Sequence, residues 1–152
     1  MLLTHFHLMF NHLPIFGSVV LFFLMVHAVY FKREKQIRIY LWFYLLVAVV
    51  TIPVFLTGDP SGDLIKKLPG ISESSIDTHE TFGYLSLITI LILGVVAAFA
   101  LRFFRSIEIL PAWFKYSFIV VAFISVLAVS WTGKTGGEIR HSEITSELPN
   151  TK

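Results

Sequence analysis

Four long apolar segments constrain the fold of this chain more than any other feature. They run over about residues 13–31, 39–56, 81–101 and 114–132, and each is close to the roughly 20 residues that cross a bilayer. Because lipid offers backbone amides no hydrogen-bond partner, we expect every span to be helical. Charged residues make up 14% of the chain, against about 25% in soluble domains, which also indicates a membrane protein.

The spacing of these spans predicts an all-α membrane protein with four transmembrane helices in an up-down-up-down bundle. We expect a single domain over residues 1–152, with a polar C-terminal tail at 133–152. In such a bundle, sequential helices are antiparallel neighbours. The first and third spans therefore lie on a diagonal.

Lysine and arginine predict the orientation of the bundle. The loops after the first and third spans contain seven of the twelve basic residues, namely Lys32, Arg33, Lys35, Arg38, Arg102, Arg105 and Lys115. Most acidic residues fall on the opposite side. The positive-inside rule places these two loops in the cytoplasm. We therefore expect a bacterial inner membrane protein with both termini on the periplasmic side.

Histidines are concentrated at the predicted outer face. Five of the six lie there, namely His5, His7, His12, His79 and His141. Imidazoles beside an apolar bundle are typical of proteins that hold haem iron, copper or zinc. The chain has no cysteine, which excludes iron–sulfur clusters and covalently attached c-type haem. His27 lies inside a span, and we expect it to be structural or interfacial.

A weak internal repeat relates the two halves of the chain. Each half enters its first span near a histidine and a Phe-Gly pair and leaves its second span at Thr-Gly. The first set is His12, Phe16-Gly17 and Thr57-Gly58, and the second is His79, Phe82-Gly83 and Thr132-Gly133. Two parallel hairpin repeats are related by an axis along the membrane normal. This register predicts that His12 and His79 face each other across the outer end of the bundle.

Opposed imidazoles on diagonal helices suit haem b. We expect His12 and His79 to be its axial ligands, in an apolar slot that includes Phe16 and Phe82. His7 and His141 form a reserve pair, so one or two haems are expected. Partners for the haem propionates are expected among Lys66, Lys67, Lys134 and Arg140.

The residues leave other functions open. One alternative is a copper or zinc site built from the outer-face histidines, because imidazole suits both metals. Another is a non-catalytic subunit or scaffold of a larger membrane complex. Electron transfer is favoured over a stand-alone enzyme, because the chain has no hydrolase or metalloprotease motif. The basic residues are explained by topology, so no nucleic-acid partner is expected.

Short motifs resemble the DUF2231 family of small bacterial four-helix membrane proteins. They are the string His7-Leu-Met-Phe-Asn-His12-Leu-Pro14, then Thr57-Gly58, His79, and the stretch Thr132-Gly-Lys-Thr-Gly136-Gly137 with His141 beyond it. The resemblance implies a four-helix fold. The family is similar to domains found beside c-type cytochrome modules, which implies electron transfer. The expected partners are the bilayer and a redox protein at the outer face, such as a c-type cytochrome. A quinone and a second copy of the chain stay open as partners.

Overall fold

The computed structural model describes residues 2–58, 62 and 73–140. This part of the chain forms long helices: α1 (Leu2–Phe10), α2 (His12–Tyr30), α3 (Glu34–Leu56), α4 (Glu73–Phe103) and α5 (Ala112–Arg140). Four helical segments are long and apolar enough to cross a membrane, with α1 and α2 counting as one. The prediction of an all-helical protein with four potential membrane spans is confirmed for the described residues.

α1 and α2 form an almost continuous helix with a local break at Asn11. The backbone N–H of Asn11 still donates to the carbonyl of His7, at 2.8 Å. The break has a cause in Pro14, whose ring has no N–H to donate and crowds the carbonyl of Phe10 four residues earlier. Helical structure therefore begins before the first predicted span. His7 lies about one and a half turns before the first residue of α2.

The four long helices pack in a ring. α2 lies beside α3 and α5, while α4 packs between the same two helices on the other side. The first and third spans, α2 and α4, are therefore diagonal, as the spacing predicted. The backbones of α3 and α4 approach closely at Gly94. A Cβ added to this glycine would lie 2.4 Å from the Cβ of Ala48. Outward faces are apolar along all four helices, which is typical of a surface that contacts lipid.

Two helices are longer than the apolar segments that predicted them. α4 begins at Glu73 rather than near 81. α5 runs to Arg140, so the chain does not leave the bundle at Thr132-Gly133, and residues 133–140 are helical rather than part of a tail. At about 1.5 Å per residue, helices of 31 and 29 residues exceed the roughly 30 Å of hydrocarbon. In a membrane, their extra turns would extend the bundle past the apolar layer.

The two ends of the bundle differ in chemistry. The histidine end is formed by α1, the start of α4 and the last turns of α3 and α5. The basic end is formed by the start of α3, the end of α4 and the segment 104–111 that leads into α5. The candidate site lies at the histidine end.

Candidate functional site

His7 and His79 make the same hydrogen bond in the two halves of the protein. Nδ1 of His7, on α1, lies 2.9 Å from the carbonyl oxygen of Val54 near the end of α3. Nδ1 of His79, on α4, lies 3.1 Å from the carbonyl oxygen of Thr132 on α5. A carbonyl oxygen can only accept, so Nδ1 carries the proton in each neutral ring. In each neutral ring Nε2 therefore carries a lone pair that can accept a hydrogen bond or bind a metal.

A threonine hydroxyl accompanies each of these bonds. Oγ1 of Thr57 lies 3.4 Å from Nδ1 of His7, and Oγ1 of Thr135 lies 3.2 Å from Nδ1 of His79. Each hydroxyl also lies within hydrogen-bond distance of the carbonyls three and four residues earlier in its own helix. One of those carbonyls is the acceptor of the histidine bond. The same local arrangement therefore occurs on α3 and on α5.

A glycine follows each threonine and lies against the imidazole. A Cβ added to Gly58 would lie 3.5 Å from Cε1 of His7, which is ordinary contact. A Cβ added to Gly136 would lie 2.9 Å from Cε1 of His79, closer than side chains approach. The ring of His79 thus packs on the bare backbone of α5, in space that any side chain at position 136 would fill.

These contacts correct the register of the internal repeat. His7 and His79 are 72 residues apart, and the same separation relates buried residues of α2 and α4, namely Pro14 and Ser86, Ser18 and Ile90, Leu21 and Leu93, Met25 and Ala97, and Ala28 and Ala100. The counterpart of His79 is therefore His7, and not His12 as predicted. Likewise, Thr135-Gly136 rather than Thr132-Gly133 corresponds to Thr57-Gly58. The Phe-Gly pairs that suggested the earlier register do not occupy equivalent places.

His12 is not part of the pair. Its side chain is exposed and stacks on Phe16 in the next turn of α2, with ring centroids 6.1 Å apart and an interplanar angle of 18°. Phe16 is itself 64% exposed and faces away from the core, so it does not line a slot inside the bundle. By contrast, His7 and His79 are half-buried, and each ring donates to a carbonyl of a neighbouring helix. His7, rather than His12, therefore makes the contacts that match those of His79.

The structure describes only some of the remaining predicted site residues. His5 is exposed on α1, and His27 packs on Phe31 at the basic end. Lys134 lies 3.6 Å from Glu138 and over the ring of Trp131. Arg140 is the last residue of α5. Three predicted residues lie outside the described part of the chain: His141, Lys66 and Lys67.

Aromatic and hydroxyl side chains line the bundle near the two imidazoles. Phe55 of α3 meets Tyr84 of α4 edge to face, with centroids 4.8 Å apart, and Phe82 of α4 packs on Trp131 of α5. The hydroxyls of Ser86 and Thr132 are 2.8 Å apart. Below them, the hydroxyl of Thr89 donates to that of Ser125, at 3.3 Å. The hydroxyls of Ser86, Thr89, Ser125 and Thr132 are thus all hydrogen-bonded.

Sequence reasoning did not single out Thr57, Thr135 or Gly136 as parts of the site. A signal was present, because the stretch 132–137 contains two Thr-Gly pairs, and the second of them is the one that contacts His79. Within the described residues, no group of three or more histidine, cysteine, aspartate or glutamate side chains converges as a metal site would require. The described part of the histidine end offers instead the matched imidazoles of His7 and His79.

Comparison of the chain with family models, with characterised proteins and with solved structures finds no match. The resemblance to the DUF2231 family stays a prediction.

Proposed function

We propose that His7 and His79 are the axial ligands of one haem b at the histidine end of the bundle, and that the protein transfers electrons there. The observation that supports this most is the matched pair of imidazoles. They come from the two separate halves of the chain, and each has its Nδ1–H held by a main-chain carbonyl.

The carbonyl bonds suit metal ligation for a physical reason. A histidine that binds a metal through one ring nitrogen almost always donates its other N–H to a carbonyl or carboxylate. That bond fixes the tautomer and the ring orientation, and it raises the basicity of the ligating nitrogen. In this chain the bond to Nδ1 leaves Nε2 of each ring as the nitrogen with a lone pair for a metal.

The number of ligands favours haem over a bare metal ion. A porphyrin supplies four nitrogens to its iron, so a haem needs two side chains from the protein. Zinc sites take three or four protein ligands. Among the described residues no three histidine, cysteine, aspartate or glutamate side chains converge, whereas a haem would need only the imidazoles of His7 and His79. Copper held by both imidazoles is the alternative that shares these residues.

Ligation by two histidines also determines the kind of chemistry. A haem with both axial positions filled by imidazole supplies a one-electron couple and leaves no position for oxygen. The residues of the chain would hold and orient it, because Thr57 and Thr135, with the carbonyls of Val54 and Thr132, would keep the two rings in place. We expect the electron partner to be a redox protein that approaches the predicted periplasmic face.

Variants of three histidines test this proposal. We expect the purified wild-type protein to show a Soret band, sharp reduced α and β bands, and the electron paramagnetic resonance signal of low-spin ferric haem. His7→Ala and His79→Ala should each lose the low-spin signal. His12→Ala is the matched control, because His12 lies at the same end of the bundle but is exposed and packs on Phe16. Its spectra should equal those of the wild type.

Two outcomes would overturn the assignment. If low-spin spectra persisted in His7→Ala and His79→Ala but vanished in His12→Ala, then His12 would be a ligand and the assignment of His7 and His79 would be wrong. Protein that contains copper or zinc in place of iron, by elemental analysis of the wild type and the three variants, would replace haem with the alternative metal site.

A further inference from the structure

The basic end of the bundle contains an open groove of about 900 Å³ between the start of α3 and the segment that joins α4 to α5. Its lining includes four cationic side chains, Arg33, Lys35, Arg38 and Arg105. Trp42 completes the wall on the membrane side, where its indole is 61% exposed. Cations above an exposed tryptophan are typical of the level where lipid headgroups meet hydrocarbon.

The groove is held in shape by a polar network beneath it. Lys115 and Glu34 form an ion pair at 2.5 Å, with both side chains mostly buried. The other carboxylate oxygen of Glu34 accepts from the backbone N–H of Leu110, at 3.1 Å. Arg38 donates to the carbonyls of Phe104 and Ile107. The segment 104–111 is therefore fixed against α3, and the cations are presented by an ordered wall.

The charge of the groove stays positive once these contacts are considered. Two acidic residues also line it, Glu34 and Glu108. The charge of Glu34 is balanced by Lys115, which lies behind the wall. The residues that line the groove therefore carry four cations against one carboxylate, that of Glu108, for which the described residues provide no ion pair. A ligand that fits must be anionic and must tolerate a hydrocarbon boundary beside Trp42.

We propose that this groove binds the phosphate of an anionic phospholipid headgroup. Basic pockets between transmembrane helices bind anionic lipid headgroups by this combination of fixed cations and an interfacial aromatic ring. Arginine and lysine both bind phosphate, and the planar guanidinium can contact two of its oxygens at once. The acyl chains of such a lipid would lie along the apolar outer faces of α3 and α4 below Trp42. This site is separate from the proposed haem site and does not depend on it.

A pair of matched double variants tests the proposal. Lys35→Gln/Arg105→Gln removes two cations that line the groove, while Lys32→Gln/Arg102→Gln removes one lysine and one arginine that lie at the same end of the bundle but outside it. Binding of fluorescent phosphatidylglycerol to detergent-solubilised full-length protein is measured against phosphatidylcholine at low salt. Each cation near a headgroup contributes about fivefold in affinity, so we expect the groove variant to bind at least about tenfold more weakly.

The control variant should keep most of the wild-type affinity for phosphatidylglycerol. The charge-preserving variant Lys35→Arg/Arg105→Lys should do so as well, which separates loss of charge from loss of fold. Equal weakening in the groove and control variants would overturn the proposal, because general surface charge would then explain binding. Displacement of the lipid by millimolar inorganic phosphate would overturn the assignment to a lipid, since the groove would then recognise phosphate alone.

Discussion

Replacing Gly136 with alanine tests whether the bare backbone of α5 positions His79. The added methyl would lie 2.9 Å from Cε1, 3.3 Å from Nδ1 and 3.7 Å from Nε2 of that ring. Side-chain carbons do not approach ring atoms as closely as 2.9 Å. The imidazole must therefore move by several tenths of an ångström, and its bond to the carbonyl of Thr132, now 3.1 Å, must weaken.

Gly137 provides the matched control, because nothing lies within 4 Å of a Cβ built there. In a helix, alanine is more favourable than glycine by up to about 1 kcal/mol, and both variants share that gain. Gly136→Ala alone loses most of a hydrogen bond, about 1 kcal/mol, and adds steric overlap that costs about 1–3 kcal/mol. Its free energy of unfolding should therefore be lower than that of Gly137→Ala by about 2–4 kcal/mol.

Denaturant titration in detergent micelles, followed by far-ultraviolet circular dichroism, measures this difference. The haem spectrum of each variant provides a second readout, and we expect only Gly136→Ala to change it. Gly58→Ala should resemble the wild type in both assays, because its methyl would lie 3.5 Å from Cε1 of His7. If Gly136→Ala and Gly137→Ala proved equal in stability and spectrum, the packing of His79 on α5 would be refuted.

Two further predictions concern the packing that supports the site. Gly94→Ala should destabilise the bundle by about 1–3 kcal/mol, because its methyl would lie 2.4 Å from the Cβ of Ala48. The double variant Ala48→Gly/Gly94→Ala should recover much of that stability in the same denaturant titration. Lys115→Met should destabilise the folded protein by about 1–3 kcal/mol, because the carboxylate of Glu34 is left mostly buried without its cation. Adding Glu34→Gln should restore part of that stability, measured by thermal unfolding with circular dichroism. A Lys115→Met variant as stable as the wild type would show that the ion pair does not hold the basic end together.

Hydropathy was sufficient to predict the helices but not their ends. The four spans follow from the need to satisfy backbone amides in lipid, and that need applies only within the hydrocarbon layer. α4 begins at Glu73 and α5 continues through Gly133, Gly136 and Gly137, in sequence that is polar or rich in glycine. There, packing between helices sustains the helix, and no local preference of the sequence reveals it.

The candidate site was predicted in part. His79 was identified from its place before an apolar span, and diagonal placement of the first and third helices followed from the topology. The partner of His79 was not identified from the sequence. His7 and His12 lie at the same end of the chain and differ in which side of the helix they occupy. Burial decides between them, and the shared separation of buried residues in α2 and α4 is visible only once the core is known.

The haem content of the purified protein tests the central proposal most directly. Iron and porphyrin are quantified per chain in protein expressed with haem precursor, for the wild type and for His7→Ala/His79→Ala. Ligation by the two imidazoles predicts about one haem per wild-type chain and none in the double variant. Wild-type protein without porphyrin, or a double variant that retains the full amount, would contradict it.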